Sequence, residues 1–302
     1  MTPKMNSVGV IGLGSMGYGV ATSCIAAGLE TYGSDIRPEV CARLIAEGAA
    51  DASTSPAAFA GRLDAVILLV VSAAQCEEAL FGEDGLAPKL RPGVPVVISA
   101  TIAPADSRRL GARLAGMGLP MLDAPVSGGS IKAGKGQLTV MAAGAPETFD
   151  AVAPLLDAMA EKVYRTGTQI GDGAMVKTVH QLLAGVHIAV AAEAMALAAR
   201  AGIPLELMYD VVTHSAGNSW MFADRMQHVL DGDYTPRSAV DIFVKDLGLV
   251  NATGDSLSFP LPLARKAYEL FAKASEQGFG KLDDSAVIMN YVGSELPGTR
   301  DN

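Results

Sequence analysis

Lys177, His180 and Gln181 stand at i, i+3 and i+4 in the segment Gly171-Asp172-Gly173-Ala174-Met175-Val176-Lys177-Thr178-Val179-His180-Gln181. Residues three and four apart share a helix face, so an amine, an imidazole and an amide are predicted side by side at the start of a long apolar run. A lysine held in apolar surroundings loses part of its preference for the charged form. It then suits proton transfer near neutral pH. His180 has two readings, a substrate contact or a core histidine bonded to backbone. Gln181 is a candidate hydrogen-bond partner for a carboxylate or a hydroxyl.

Two further segments say what the proton transfer would accompany. Gly12-Leu13-Gly14-Ser15-Met16-Gly17 fits G-x-G-x-x-G, follows the apolar strand Ser7–Ile11 and opens the helical pattern Met16–Ala27. In that context Gly12 allows the tight turn, Gly14 lets backbone approach a pyrophosphate, and Gly17 lets helix and strand pack closely. The helix N-terminus offers N–H groups to the phosphates. Asp35 follows the predicted strand Thr31–Ser34, 18 residues past Gly17. A carboxylate there accepts from ribose hydroxyls and repels a 2′-phosphate, which favours NAD over NADP; the alternative is a cap for the helix beginning at Pro38. Arg37 either flanks the adenine or pairs with a phosphate. Asp123-Ala124-Pro125-Val126-Ser127-Gly128-Gly129 runs from a strand end into a Gly-rich turn. The Ser127 hydroxyl and the N–H groups of Gly128 and Gly129 can hold a substrate carboxylate, or the segment is a plain turn. Together the three segments point to hydride transfer between a hydroxy acid and a nicotinamide, with Lys177 moving the proton.

The elements that must position these residues alternate in the first half. Strands are predicted at Ala65–Val71, Val94–Ser99, Met121–Ala124, Leu138–Ala143 and Val163–Arg165. Helices are predicted at Pro38–Glu47, Pro104–Met117 and Pro146–Met159. That alternation implies βαβ units and an open, mainly parallel sheet. From Ala174 to Ala201 a single helical pattern runs with Gly185 as its one interruption, and only helical patterns follow it: Leu205–Ser215, Trp220–Leu230, Ala239–Thr253, Pro262–Gln277 and Ser285–Val292. The expected fold class is α/β: an N-terminal Rossmann-type doubly wound sheet joined by a long helix to an all-helical C-terminal domain. The expected division is residues 1–167 for NAD binding and 168–302 for substrate binding and dimerisation. Pro297–Asn302 are expected to fray.

Composition narrows the partners. The formal net charge of -9 argues against nucleic acid and anionic membrane surfaces. No uninterrupted apolar run reaches the roughly 18 residues of a membrane span; Ala184–Ala199 comes nearest and is broken by His187 and Glu193. The first residues lack a signal-peptide h-region. Cys24, Cys41 and Cys76 form no CxxC, and the four histidines form no HxH or HxxxH pair. Reduced thiols, a cytoplasmic location and no metal are therefore expected, with Cys24 a small core residue.

With these residues in place the chain resembles the β-hydroxyacid dehydrogenase family, which includes 3-hydroxyisobutyrate dehydrogenase, tartronate semialdehyde reductase and, more distantly, 6-phosphogluconate dehydrogenase. The resemblance covers nearly the whole length. It rests on Val10–Gly17, on Asp123–Gly129 with Ala133 and Gly136, on Gly171-x-Gly173-x-x-x-Lys177, and on Lys245-Asp246-Leu247. It implies that Ser127, Gly128 and Gly129 hold substrate and that Lys177 is the acid–base. It also implies that Thr101 lies near the nicotinamide and that Lys245 closes over the cofactor site. Gln181 and His180 stand where many members carry asparagine. Histidine there is similar to the 6-phosphogluconate branch, yet no cluster of Arg and Lys suited to a phosphate accompanies it. His180-Gln181-Leu182-Leu183-Ala184-Gly185-Val186-His187, with Gly217-Asn218-Ser219-Trp220-Met221, resembles the L-threonate dehydrogenase branch. That branch implies NAD-dependent oxidation of a four-carbon sugar acid at C2. Asn218 would then be a hydroxyl contact, and Trp220 a pocket wall or a core aromatic. Oxidation of 3-hydroxyisobutyrate, reduction of tartronate semialdehyde, and a cofactor-binding module without catalysis are the alternatives. The apolar helical half is expected to make a homodimer or homotetramer.

Overall fold

The apolar runs of the first half become one nine-stranded sheet in the computed structural model of the chain, which describes residues 5–291. Residues Pro297–Asn302, expected to fray, lie outside that range. The chain divides into two units between Lys177 and Thr178.

In the first unit β1 (Ser7–Ile11), α1 (Ser15–Ala26), β2 (Glu30–Ser34), α2 (Pro38–Ala46) and β3 (Asp51–Ser53) form the opening half of a doubly wound fold. Strands β4 (Ala65–Leu68), β5 (Val96–Ile98) and β6 (Met121–Asp123) continue it, with α3 (Ala73–Phe81) and α4 (Pro104–Ala115) as connections. The short β7 (Val126–Ser127), α5 (Gly129–Gly134), β8 (Leu138–Ala143), α6 (Pro146–Ala151), α7 (Ala153–Met159) and β9 (Ala160–Gly167) complete the sheet. Its order is β3-β2-β1-β4-β5-β6-β8-β7, with β9 beside β8. Neighbours from β3 to β6 pair in parallel. Strand β8 runs antiparallel to β6 and β7. Only the short α5 lies between β7 and β8, which is too little chain for a parallel crossover.

Both sheet faces are covered. Ala65 and Ile67 of β4 join Val8, Val10, Val20 and Leu155 in one core, while Val66 and Leu68 join Tyr32, Ile98 and Leu110 in the other. The two-residue period of a strand sends successive side chains to opposite layers. Several expectations needed revision; the helix predicted over Ser285–Val292 is a 3₁₀ stretch at Asp284–Asn290, and Val292 lies outside the described residues. The helix predicted over Pro146–Met159 breaks at Val152 (φ -103, ψ 10). Pro154 cannot donate to the carbonyl four residues back and its ring crowds that carbonyl. Helix α3 and strand β3 were not foreseen, although Ser72 caps α3 by accepting from Gln75 N–H (3.2 Å).

In the second unit, helices α9 (Leu205–Thr213), α10 (Trp220–Asp231), α11 (Val240–Ser256) and α12 (Pro262–Ala274) pack on the long α8 (Asp172–Arg200), which begins in the first unit. Ile188, Ala192 and Met195 of α8 meet Phe222, Met226, Phe243, Leu247 and Phe271 in a single core. A methyl on Gly185 would come within 2.8 Å of Leu247, so this glycine lets α8 and α11 approach closely. Over an 18-residue window α8 has a mean hydropathy of 1.9, long and apolar enough to cross a membrane by length and composition. Half of that window is buried, and core helices of folded domains pass the same test.

Candidate active site

The parallel register of β1 and β2 brings Ile11 opposite Ser34, so the Gly-rich turn and Asp35 leave the sheet at the same edge. Gly12 N–H donates to Ser34 O (2.8 Å), closing the turn. A Cβ on Gly17 would stand 1.8 Å from Gly12 O, so any side chain would push α1 off the turn. Gly14 is the N-cap of α1 and supplies no side-chain cap, which leaves first-turn N–H groups to be met by something else. The space above Gly14 is open, with nothing within 4 Å of a Cβ built there. Ser15 is exposed, Met16 half-buried, and Leu13 packs its side chain into the core. A cavity of about 630 Å³ is lined by Gly12, Gly14, Asp35, Arg37, Val70 and Gln75, among others. An uncapped helix start, an open glycine and a cavity of ligand size are what a dinucleotide requires.

Asp35 does more than face that cavity. Its Oδ2 accepts from Leu13 N–H (2.9 Å), which ties strand β2 to the Gly-rich turn. Its Oδ1 accepts from Arg37 N–H (3.1 Å) and from Arg37 Nε (2.8 Å). Arg37 and, against the effect of burial, the backbone N–H groups hold the Asp35 carboxyl below the usual carboxylate range. Arg37 is therefore bound to the carboxylate beside it, an arrangement neither reading of Arg37 from sequence contained.

Thr101 follows β5 at the same carboxyl edge of the parallel strands and is half-buried. Ser127 sits on β7 opposite Thr139. Gly128 and Gly129 both have positive φ, 136° and 76°, which favours glycine at each. Asp123, at the end of β6, is fully buried, and its Oδ2 accepts from Gly171 N–H and Ala174 N–H, both at 2.9 Å. Burial raises the Asp123 pKa, and the two N–H bonds offset part of the rise. This carboxylate fastens the first turn of α8 to the sheet. A Cβ on Gly173 would lie 2.5 Å from Asp123 O and 2.7 Å from Met141 O, so the helix start is seated directly on strand backbone. Lys177, one turn on, is 5% exposed. Asp123 escaped notice as a functional residue in the sequence, yet a carboxylate ending the apolar run Met121-Leu122 had to find buried partners.

In the second unit Gln181, also buried, donates from Nε2 to Asp246 Oδ2 (2.5 Å), and its Oε1 faces His180 Nδ1 at 2.9 Å. Lys245 Nζ approaches Asp246 Oδ1 at 2.8 Å. His180, Gln181 and Lys245 are thus joined through Asp246, whose own part sequence reasoning missed. The signal was again an acid on an apolar helix face. Asn218 is exposed in the loop before α10 and its amide donates to Thr213 O (3.2 Å). Trp220 is 60% exposed, which removes the core-aromatic reading. Away from these residues, Asp283 accepts from His228 Nδ1 (2.9 Å), Ser285 Oγ (2.7 Å) and Arg237 N–H (3.0 Å), while Arg225 Nε donates to Asp284 (2.5 Å). That buried cluster binds α10 to the segment 283–285.

Known proteins match along the whole described chain. The profile for the NAD binding domain of 6-phosphogluconate dehydrogenase matches residues 7–167. That for the NAD-binding region of NADP-dependent 3-hydroxyisobutyrate dehydrogenase matches residues 171–291. An L-threonate dehydrogenase of Pectobacterium atrosepticum is 62% identical over 291 residues, 96% of each chain. One of Escherichia coli K12 is 59% identical over 97% of each chain. A crystal structure from Salmonella typhimurium described as 3-hydroxyisobutyrate dehydrogenase is 60% identical and superposes with a TM-score of 0.90, covering 94% of this chain and 99% of that one. Motifs, sheet order and near-full-length identity agree: the chain is a nicotinamide-dinucleotide-dependent dehydrogenase and belongs to the β-hydroxyacid dehydrogenase family, in its 3-hydroxyisobutyrate dehydrogenase-like group.

Proposed function

We propose that this protein oxidises the C2 hydroxyl of a four-carbon sugar acid such as L-threonate, with NAD as acceptor. One observation carries the reading: five L-threonate dehydrogenases are 52–62% identical to the chain over 96–97% of its length. The polar line His180–Gln181–Asp246 supports it, because a sugar acid brings hydroxyls where 3-hydroxyisobutyrate brings a methyl group. Bound NAD supplies the two-electron oxidant. Lys177 accepts the hydroxyl proton as the carbinol C–H bond breaks and the carbonyl forms; in the reverse direction it returns that proton to the nascent alkoxide. Ser127 and the backbone of Gly128 and Gly129 hold the substrate carboxylate, and His180, Gln181 and Asn218 meet its hydroxyls. Gly12–Gly17, Asp35 and Thr101 hold the dinucleotide, with Lys245 contributing from the helical half. Asp35 disfavours a 2′-phosphate, and its hold on Arg37 supports NAD over NADP.

In this reading residues 1–167 form the NAD-binding domain and residues 168–302 the domain for substrate and dimerisation. Val179, Leu183, Val190 and Leu197 are exposed at helical spacing along α8, an apolar stripe that supports a homodimer or homotetramer. Three buried free cysteines support a reducing, cytoplasmic setting. A second reading, 3-hydroxyisobutyrate oxidation, draws on the description of the Salmonella structure. Purified protein with NAD, screened against C3 to C6 hydroxy acids by cofactor absorbance, separates the two. L-Threonate is expected to give the highest kcat/KM. A higher value for 3-hydroxyisobutyrate, or no turnover of any four-carbon acid, would reject the proposal.

A further inference from the structure

The bonds around Gln181 fix more than its own position. Its amide faces a carboxylate on one side and an imidazole nitrogen on the other. Asp246 Oδ2 can only accept, so the group that meets it at 2.5 Å is the NH₂. That orientation leaves Oε1 toward His180, 2.9 Å from Nδ1. An amide oxygen cannot donate, so Nδ1 carries the proton. In the neutral ring the other nitrogen, Nε2, is then an acceptor. Lys245 Nζ, 2.8 Å from Asp246 Oδ1, lies there as a charge contact to the other oxygen of the same carboxylate. Asp246 and Gln181 are buried and His180 half-buried, so bulk water does not randomise the amide.

We infer that Asp246 is a positioning residue: acting through Gln181, it sets His180 in the Nδ1–H tautomer, so that Nε2 accepts a hydrogen bond from a substrate hydroxyl. An unconstrained imidazole in water prefers the opposite tautomer, so the arrangement has a spectroscopic signature. The substrate half of the inference rests on the sugar-acid reading above; the tautomer half does not. A merely structural Asp246 would stabilise α8 against α11 without selecting either tautomer.

The test is ¹⁵N NMR of histidine-labelled, full-length protein at about pH 8.5, well above the ordinary imidazole pKa. His180→Gln identifies the resonances of His180 by their loss. The expected result is a protonated Nδ1 and an unprotonated Nε2 in the unsubstituted protein. In Asp246→Asn the amide is released and the ring moves toward the Nε2–H form; Gln181→Met, which keeps volume and removes the amide, gives the same change if Asp246→Asn folds poorly. His180 found as Nε2–H in the unsubstituted protein overturns the inference. So does an unchanged tautomer in both variants. The kinetic arm compares L-threonate with its 3-deoxy and 4-deoxy analogues. One good hydrogen bond predicts about tenfold discrimination against one of the analogues, largely lost in Asp246→Asn. Equal losses on all three acids would overturn the substrate contact. Failure to turn over L-threonate at all rejects the proposed function, while the NMR result still decides the tautomer.

Discussion

Gly173→Ala sets two physical effects against each other. Helix propensity alone predicts that alanine in α8 stabilises the protein by about 1 kcal/mol. The structure predicts the reverse. The new Cβ would lie 2.5 Å from Asp123 O and 2.7 Å from Met141 O, where contacts become ordinary only at 3.4 Å, so the overlaps are about 0.9 and 0.7 Å. Both oxygens belong to strand backbone and neither can rotate away. The start of α8 must retreat by roughly 1 Å. Overpacking of that kind costs about 1–3 kcal/mol. The retreat also stretches the Gly171 and Ala174 N–H bonds to Asp123 from 2.9 Å beyond useful length, at about 1 kcal/mol each. Destabilisation wins by about 2–4 kcal/mol after the propensity gain is subtracted. The apparent Tm should fall by about 5–10 °C. Lys177 is carried one turn along the same helix, and a displacement near 1 Å lowers kcat by about 10²-fold. NAD affinity, set at the Gly12–Gly17 turn, should change less than about twofold on the same reasoning. Calorimetry, steady-state kinetics and cofactor titration check each part. A raised Tm with unchanged kcat would refute the argument that the seat of α8 positions the lysine.

Other outcomes follow from single groups. Lys177→Ala should lower kcat by about 10²- to 10⁴-fold with cofactor affinity nearly unchanged; turnover within a few fold of the original removes the lysine from proton transfer. Asp35→Ala releases Arg37 toward a 2′-phosphate and should reduce the NAD-over-NADP ratio of kcat/KM about tenfold, equivalent to about 1.4 kcal/mol. An unchanged ratio contradicts the role given to that carboxylate. Burial acts to raise the Asp283 pKa, but hydrogen bonds from His228, Ser285 and Arg237 N–H, with the charge of Arg225, outweigh it and hold the group at about 2, against 3.8 ordinarily. Because the folded pKa is depressed, its contribution is present above about pH 4 and fades as the pH falls toward 2; the shift corresponds to about 2 kcal/mol. Urea melts between those limits should show that loss in the unsubstituted protein and a shallower slope in Asp283→Asn. Parallel slopes would remove Asp283 from acid sensitivity.

What could be read from the sequence was governed by short-range spacing. The turn Gly12–Gly17, the strand before it and the helix after it lie within about twenty residues, and Asp35 follows one βαβ unit later. Lys177, His180 and Gln181 share a face because the helix period alone says so. The all-helical second half showed in its succession of 3.6-residue patterns, while the three-residue β3 was too short to register and α3, as long as α2, was passed over. Tertiary structure decided the partners. Asp123 reaches Gly171 and Ala174 across 48 and 51 residues, and Asp246 reaches Gln181 across 65. No local propensity specifies which buried donor a carboxylate will meet; only the packing of α8 against β6, and of α11 against α8, places the atoms within hydrogen-bond range. Even the pairing of Arg37 with Asp35, two residues apart, waited on the Leu13 N–H that fixes the carboxylate. A chain can announce which groups it carries at which intervals, but charges and amides find their directions only when folding removes the water that would otherwise satisfy them.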